Sequence, residues 1–384
     1  MNTPAPTTER ELLAVPMGAS ASANEIYSGV ARMAGTLWCS RHRARPGRIA
    51  RTAVVTIHPS SNFLGHYALS AFARAGVDAI GMTTRYIGND TALLLENCVV
   101  DVGSVVRHLR NEGYERVVLF GNSGGGGLVS LYQNQAEQPT ITSAPSGGGP
   151  DLTRADLPRA DALILAMAHP GRAQLLAEWL DPAVRDEQNP LDRDAELDMF
   201  DPLNGPPYAP EFLRRYRAAQ LARSEAITAR AEKQLAELST RGIADMPFLV
   251  HGVCADPRFL DLSLDPSDRE PGTLWGDAWN ANFQPAALGH YTTLRSWLSQ
   301  WSVSRTRGDG PARLRAVTAP VHVVYGTADQ GCFPSHAHAL YEAVRHDRKA
   351  ITPVKGGKHY LNGQPELTAL MVETLLAWMD GVLA

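Results

Sequence analysis

The segment Arg116–Leu128, RVVLFGNSGGGGL, contains a serine, Ser123, in the pattern G-x-S-x-G. The pattern alone is weak, because glycine is common in this chain. Its surroundings strengthen it: the apolar run Val117–Phe120 predicts a buried strand before Ser123, and the apolar residues from Leu128 onward predict a helix after it. A serine on such a sharp strand-to-helix turn is held in a strained conformation that only small neighbours permit. The segment therefore predicts a nucleophilic serine.

The alternative interpretation of this segment is a Gly-rich turn that only packs tightly, or one that binds phosphate at a helix N-terminus. Phosphate-binding loops follow the patterns G-x-x-x-x-G-K-[ST] or G-x-G-x-x-G with an acid downstream. No lysine follows Gly124–Gly127. This difference favours the nucleophile.

A serine becomes nucleophilic when a base takes its proton and an acid orients that base. On turns of this kind the chain order is serine, acid, histidine. Asp329 ends the strand-like run VHVVYGTAD, and His359 follows the next such run in AITPVKGGKHY. Since open parallel sheets place their sites at the carboxyl ends of strands, we predict Asp329 as the acid and His359 as the base. Asp256, which follows the strand-like FLVHGV, is the rival acid.

The oxygen that becomes negative when a serine attacks a carbonyl group needs N–H donors. We predict one donor from Gly124, directly after the serine, and the other from the loop HPSSNF that begins at His58. Because Pro59 has no N–H, the second donor is predicted to be Ser60 or Ser61. An ordinary polar turn is the alternative for this loop.

Two further histidines, His336 and His338, form H-x-H at a predicted helix start. Positions i and i+2 of a helix do not share a face. We therefore expect both side chains to be exposed, and not to bind zinc.

The elements that must position these residues alternate between short apolar runs and amphipathic stretches, which favours an α/β class with a mostly parallel sheet flanked by helices. Residues 169–319 break this rhythm and include a long, charged, helical stretch, Glu211–Leu238. We expect residues 1–24 to be a loose N-terminal arm, 25–168 and 320–384 to be one α/β core, and 169–319 to be an inserted, mainly helical cap. The predicted strands are Thr52–His58, Val77–Met82, Arg116–Phe120, Ala162–Ala168, Val321–Gly326 and Ala350–Val354, and the predicted core helices are Tyr67–Ala75, Val99–Arg110, Ser335–Val344 and one that begins at Pro365.

Strand, serine turn, helix, acid-bearing strand and histidine-bearing loop together resemble the α/β-hydrolase superfamily, over residues 50–168 and 320–384. The resemblance implies the α/β-hydrolase fold, with Ser123 as nucleophile, Asp329 as acid, His359 as base, and Ser60 and Gly124 as oxyanion donors. The HGGG of lipases is absent. GNSGGGG is similar to the GDSAGG of hormone-sensitive-lipase-like esterases. A serine at this turn excludes the dehalogenase and epoxide-hydrolase branches, which use Asp there.

Four of the seven tryptophans lie between Trp275 and Trp301, within the predicted cap. They predict either an apolar wall over the nucleophile or the packed core of the cap. As candidate pocket residues we take His58, Tyr86, Trp275 and Trp279.

Composition limits the remaining classes of function. The 384 residues carry 36 basic and 40 acidic side chains, a net charge of −4, which argues against nucleic acid as a partner. No apolar run reaches the roughly 18 residues of a membrane span, and the N-terminus does not resemble a secretory signal. The four cysteines form no C-x-x-C pair, so we expect reduced thiols, a cytoplasmic location and no bound metal.

The resemblance implies a cofactor-free, metal-independent serine hydrolase of the carboxylesterase type, acting on a small-molecule ester of an apolar or aromatic acid or alcohol through an acyl-enzyme. A thioesterase, an amidase or an acyltransferase would use the same three residues. A cofactor-free lyase or oxygenase and a non-catalytic binding protein are rival classes on the same fold. Homo-oligomer formation is left open.

Overall fold

The structure is a computed structural model that describes residues 9–18, 35–285 and 287–383. Its strands are β1 (Glu9–Pro16), β2 (Thr36–Arg43), β3 (Thr52–Ile57), β4 (Asp78–Met82), β5 (Arg116–Asn122), β6 (Ala162–Ala166), β7 (Val184–Asp186), β8 (Asn189–Arg193), β9 (Pro247–Leu249), β10 (Tyr291–Thr293), β11 (Val321–Gly326) and β12 (Lys349–Val354).

The α-helices lie between and after these strands, and short 3-10 turns occur at Phe63–Gly65, Ala195–Leu197 and Pro257–Phe259. A π-helical turn, Trp297–Trp301, follows α7 directly. The helices are α1 (Leu69–Arg74), α2 (Leu95–Glu112), α3 (Gly125–Glu137), α4 (Arg172–Trp179), α5 (Pro210–Ser239), α6 (Ala278–Phe283), α7 (Leu294–Ser296), α8 (Gly310–Leu314), α9 (Pro334–Ala343) and α10 (Pro365–Val382).

Within the described ranges, eight strands form one sheet in the order β1-β2-β4-β3-β5-β6-β11-β12. The six strands β4, β3, β5, β6, β11 and β12 pair with one another in parallel. Strand β2 pairs antiparallel with β4, and β1 pairs antiparallel with β2 at the edge of the sheet. The chain thus has the mostly parallel α/β sheet that the sequence predicted. The carboxyl ends of β3, β5, β6, β11 and β12 meet at one edge of the sheet.

Helices cover both faces of the sheet, which explains why its central strands are continuously apolar. In β5, Val117 and Leu119 pack into the apolar layer that includes α2, α3 and α9. Val118 and Phe120 point the other way and pack into the layer formed with α1 and α10. Every central strand is therefore fixed between two cores, and its carboxyl end is held rigidly.

The segment between β6 and β11 holds α4 to α8 and two small antiparallel pairs, β7–β8 and β9–β10. It has apolar clusters of its own. Trp297 and Trp301 are buried in one of these clusters with Leu176 and Leu294. Core packing is therefore the right interpretation for these two tryptophans.

The expectation of a loose arm over residues 1–24 is wrong for Glu9–Pro16, which form β1 and pair along their whole length with β2. Buried Arg41 on β2 explains the pairing, because it forms ion pairs with Glu11 on β1 and Glu112 on α2. Residues 1–8 and 19–24 of that expectation lie outside the described residues.

Cys39, Cys98, Cys254 and Cys332 are buried and form no disulfide. Across residues 9–18, 35–285 and 287–383, no helix is at once long and apolar enough for a membrane crossing.

Candidate active site

Ser123 stands on the turn between β5 and α3 with a backbone φ of +55°. This left-handed conformation is costly for a residue that has a side chain, and it persists only where the surroundings enforce it. Here the Ser123 N–H donates to the carbonyl oxygens of Ala166 and Met167, each at 3.2 Å, where β6 ends. The neighbouring strand thus holds the turn in place, and Ser123 lies at the carboxyl edge of the sheet.

The glycines around Ser123 are required by close backbone approach. A Cβ on Gly121 would lie 2.4 Å from the carbonyl oxygen of Gly125, and a Cβ on Gly125 would lie 2.0 Å from that of Ile57. A Cβ on Gly126 would lie 2.5 Å from the Cβ of Ala168. Helix α3 therefore begins directly against β3 and the end of β6, which only glycine permits.

Asp329 and His359 form a hydrogen-bonded pair at the ends of β11 and β12. Oδ2 of the buried Asp329 lies 2.8 Å from His359 Nδ1. Its Oδ1 accepts the backbone N–H groups of Gly331 at 2.7 Å and Cys332 at 2.9 Å. The carboxylate is thereby fixed, and it fixes the imidazole. His359 Nε2 has no hydrogen-bond partner among the described residues.

A cavity of about 410 Å³ brings the predicted residues together. Ser123 and His359 both line it, as do His58, Ser60 and Trp275 from the predicted set, while Asp329 stands behind His359. The other residues that line the cavity are Ser61, Leu274, Leu288, Ala328, Gln330, Lys358, Tyr360 and Asn362.

Two of the predicted pocket residues lie elsewhere. Tyr86 is buried, and its hydroxyl accepts a hydrogen bond from Asn97 Nδ2 at 2.8 Å. Trp279 is 39% exposed and lines a separate depression, where it packs edge-on against Phe200. Assigning Tyr86 and Trp279 to the pocket is therefore wrong. Position near a strand end or in a Trp-rich segment did not reveal which way these side chains point.

The rival acid, Asp256, serves another purpose. It accepts hydrogen bonds from Arg258 at 2.6 Å and Arg217 at 2.7 Å, and it caps the 3-10 turn that starts at Pro257. Burial alone would raise the pKa of Asp256, but the two guanidinium groups outweigh it and lower that pKa. Asp256 is thus a buried ion-pair partner within the segment between β6 and β11.

His336 was expected to be exposed and is instead buried, with Nε2 2.8 Å from Glu178 Oε2. That contact joins α9 to α4. His338, two residues on, is exposed as expected.

The loop after β3 differs from its prediction. The backbone N–H groups of Ser60 and Ser61 both donate to His58 Nδ1, at 3.1 and 2.8 Å. An N–H that already donates to a side chain is not free for an oxyanion, so the assignment of Ser60 as oxyanion donor does not fit this loop. The Gly124 N–H, by contrast, has no acceptor among the residues that the structure describes.

Sequence analysis missed two residues near Ser123, Tyr360 and His66, because no motif marks them. Tyr360 directly follows His359 and lines the cavity. Burial raises the pKa of Tyr360 to about 12, while hydrogen bonding with the hydroxyls of Ser123 and Ser61 acts in the opposite direction. His66 Nε2 lies 2.9 Å from Asn122 Oδ1, on the residue before Ser123.

Asp329, Cys332 and His359 place three metal-ligating atoms within 4.8 Å of one another. Burial holds the pKa of the Cys332 thiol well above its ordinary value, and the neighbouring Asp329 raises it further. A protonated thiol is a poor ligand, and both Asp329 oxygens are already hydrogen-bonded. These groups fit an acid–histidine pair better than a metal site.

No protein-family model and no curated protein matches the chain. Solved structures do. The hypothetical protein PA2218 from Pseudomonas aeruginosa is similar at 12% identity over 97% of this chain and 94% of its own, with a TM-score of 0.51. The structure of DcsB in complex with its substrate analogue is similar at 10% identity over 97% and 99%, with a TM-score of 0.50. The esterase domain of a Rhodothermus marinus protein has 12% identity over 97% and 98%, with a TM-score of 0.47. At such identities the likeness concerns the fold.

Proposed function

Because the chain has the α/β-hydrolase fold, we propose that it is a serine hydrolase of the carboxylesterase type. The observation that carries the proposal is the Asp329–His359 hydrogen bond of 2.8 Å. His359 Nε2, which has no partner in the described part of the chain, belongs to a side chain that lines the same cavity as Ser123. Nucleophile, acid and base, Ser123, Asp329 and His359, follow one another along the chain in the order that this fold uses.

In the proposed reaction, Ser123 Oγ attacks the ester carbonyl carbon while His359 Nε2 takes the hydroxyl proton. The carbonyl electron pair moves to the oxygen, where the Gly124 N–H donates to it. The intermediate collapses, the C–O bond to the alcohol breaks, and His359 returns its proton to the leaving oxygen. Water then attacks the acyl-enzyme with His359 as base, which releases the carboxylic acid and restores Ser123.

The cavity walls support a small ester with an apolar or aromatic group. The large apolar side chains Leu274, Trp275 and Leu288 line the cavity, and Gln330 and Lys358 contribute polar groups. The volume of about 410 Å³ lies within the roughly 300–1,000 Å³ that is usual for small-molecule pockets. Leu274, Trp275 and Leu288 all come from the segment between β6 and β11. We therefore propose that this segment is a cap and that it determines substrate choice.

A fluorophosphonate probe tests the nucleophile, since it reacts only with an activated serine. We expect labelling of the wild-type protein at Ser123 and none in Ser123→Ala. A panel of p-nitrophenyl esters of increasing acyl length, with matching thioesters and anilides, tests the bond type. Turnover of esters that Ser123→Ala abolishes supports the proposal. Turnover that survives Ser123→Ala would instead indicate chemistry that does not use this serine.

A further inference from the structure

His58 is held in one protonation state by its own loop. It follows β3 directly, is buried, and lines the cavity beside Ser123. Its Nδ1 accepts two backbone N–H groups, from Ser60 at 3.1 Å and Ser61 at 2.8 Å. A nitrogen that accepts hydrogen bonds carries no proton, and a neutral imidazole then carries its proton on the other nitrogen. His58 therefore presents an Nε2–H group.

The surroundings keep this ring neutral. Burial, reinforced by the positive charge of Arg172 and by neighbouring histidines, holds the pKa of His58 well below its ordinary value. Arg172 reaches the same loop, with Nη1 3.4 Å from Ser60 Oγ, and it is held there by Asp90 and by Trp301, over which its guanidinium stacks at 4.3 Å. Protonation of Nδ1 would break both backbone hydrogen bonds. The loop N–H groups and the positive charge of Arg172 therefore both favour the neutral form of His58.

The Nε2–H group lies over the residue that follows the serine. His58 Nε2 is the nearest heavy atom, at 3.1 Å, to a Cβ built on Gly124. It has no hydrogen-bond partner within the described part of the chain. His58 Nε2 thus lies close to the backbone of Gly124, whose own N–H has no acceptor among the described residues. The strand-end loop that supplies the second donor of this fold offers no backbone N–H at residues 59 to 61, because Pro59 has none and the next two are engaged.

We propose that His58 donates the second hydrogen bond to the oxyanion through Nε2–H, beside the N–H of Gly124. This assignment rests on the proposed function, since the oxyanion forms only if Ser123 attacks a carbonyl group. Ser60 and Ser61 act as positioning residues, because their N–H groups fix the tautomer. The donor is a side chain in place of a second backbone amide.

The matched variants are His58→Asn and His58→Gln. An Asn oxygen still accepts from the loop N–H groups but leaves no donor at the Nε2 position, whereas a Gln side chain reaches that position with an N–H group. We expect kcat of a p-nitrophenyl ester to fall roughly 10²–10³-fold in His58→Asn, with KM changed by less than about threefold. His58→Gln should recover about tenfold of that loss. Both variants are checked for folding by circular dichroism and thermal unfolding.

The same assay separates the failures. If wild-type turnover depends on Ser123 but His58→Asn keeps kcat within threefold, the His58 donor is wrong and the hydrolase stands. If Tyr360→Phe shows the loss that His58→Asn lacks, the donor is the Tyr360 hydroxyl and the proposal is overturned. If the wild-type protein shows no Ser123-dependent turnover, both proposals fail.

A measurement on the wild-type chain avoids the folding question. Nitrogen NMR of labelled histidine distinguishes protonated from unprotonated ring nitrogens, and a trifluoromethyl ketone that adds to Ser123 provides a stable oxyanion. We expect His58 to be neutral with Nε2–H in the free protein, and its Nε2–H proton to move downfield in the adduct. A ring protonated on Nδ1, or an Nε2–H signal unmoved by the adduct, would overturn the proposal.

Discussion

His359 Nδ1 lies 2.8 Å from Asp329 Oδ2, and the other Asp329 oxygen accepts two backbone N–H groups. Such a carboxylate can only accept from His359, so the imidazole carries its proton on Nδ1 and leaves Nε2 free. His58 shows the reverse arrangement, because its Nδ1 is the acceptor. Two histidines of opposite tautomer thus line one cavity with Ser123, which suits one to accept a proton and the other to donate a hydrogen bond.

Replacement of Asp329 by Asn tests the tautomer argument. The amide keeps the shape of the carboxylate but can donate an N–H to His359 Nδ1. The ring would then carry its proton on Nε2, and Nε2 could no longer accept the proton of Ser123. We expect kcat for a p-nitrophenyl ester to fall about 10³–10⁴-fold, with little change in KM. Steady-state kinetics of Asp329→Asn measures this, and retention of kcat within tenfold would exclude Asp329 as the orienting acid.

Asp256→Asn is the matched control, because Asp256 is also a buried carboxylate with two strong partners. Its replacement removes the ion-pair partner of Arg217 and leaves Arg258 with only Glu178 and Asp265, so we expect a cost of about 3 kcal/mol in the free energy of unfolding. The kcat of the folded protein should stay near that of the wild type. Urea unfolding and ester kinetics on the same samples separate the two effects.

The inner parallel strands, β3 to β6 and β11, were predictable because they are buried on both faces and therefore read as largely apolar runs. The edge strand β12 is only partly buried. Val321–Gly326 has the bounds that the sequence predicted, and β3 differs by one residue. Strands β1 and β2 gave no such signal. The charged residue Arg41 interrupts any apolar run in β2, although it is buried. Its ion pairs with Glu11 and Glu112 join positions far apart in the chain, which the sequence pattern does not reveal.

The site divides in the same way. Ser123, Asp329 and His359 each follow a strand, so strand position and chain order were enough to propose them as the candidate triad. The oxyanion role predicted for Ser60 does not fit, because its N–H donates to Nδ1 of His58, two residues earlier in the chain. The sequence gives no sign of this hydrogen bond. Trp275 and Trp279 have the same residue type, and only the path of the chain between them places one in the cavity.

Gly125→Ala tests whether the serine turn needs the close approach of α3 to β3. A Cβ at this position would lie 2.0 Å from the carbonyl oxygen of Ile57, a rigid backbone atom inside the sheet. We expect a loss of about 3 kcal/mol in unfolding free energy, together with loss of fluorophosphonate labelling at Ser123. Gly65→Ala is the control, because Gly65 is exposed with nothing within 4 Å of its Cβ position, and its stability should change by less than about 0.5 kcal/mol. Equal stability of the two variants would contradict the packing argument.

Buried histidines near the site predict that stability falls in mild acid. Burial lowers the pKa of His66 from 6.5 to about 4 and that of His169 to about 3. A pKa that is lower in the folded than in the unfolded chain means that protonation favours unfolding. The contribution of each neutral histidine to the free energy of unfolding is therefore fully present above pH 6.5. It falls as the pH drops from 6.5 toward 4, by at most about 1.4 kcal/mol per pH unit for each histidine.

The variant His66→Asn tests this slope. Asn can accept the Ala68 N–H that His66 Nδ1 accepts, but it does not titrate. Urea unfolding at a series of pH values between 6.5 and 4.5 should show a slope shallower than that of the wild type by up to about 1.4 kcal/mol per pH unit. An unchanged slope would mean that His66 is not neutral in the folded protein at these pH values.

Trp275 offers a test of the proposed cap as the part that selects the substrate. It lines the cavity and packs edge-on against buried Trp179, 5.8 Å between ring centroids, so its position is fixed by the inserted segment. In Trp275→Ala we expect kcat/KM to fall roughly 10-fold for a p-nitrophenyl ester with an aromatic acyl group and less for the acetate, because only the larger group reaches the indole. Trp279→Ala removes the same side chain from a depression outside this cavity, and it should leave the ratio of the two esters unchanged. A loss that is equal for both esters in Trp275→Ala would point to a general disturbance of the site, and a changed ratio in Trp279→Ala would place the selective surface elsewhere.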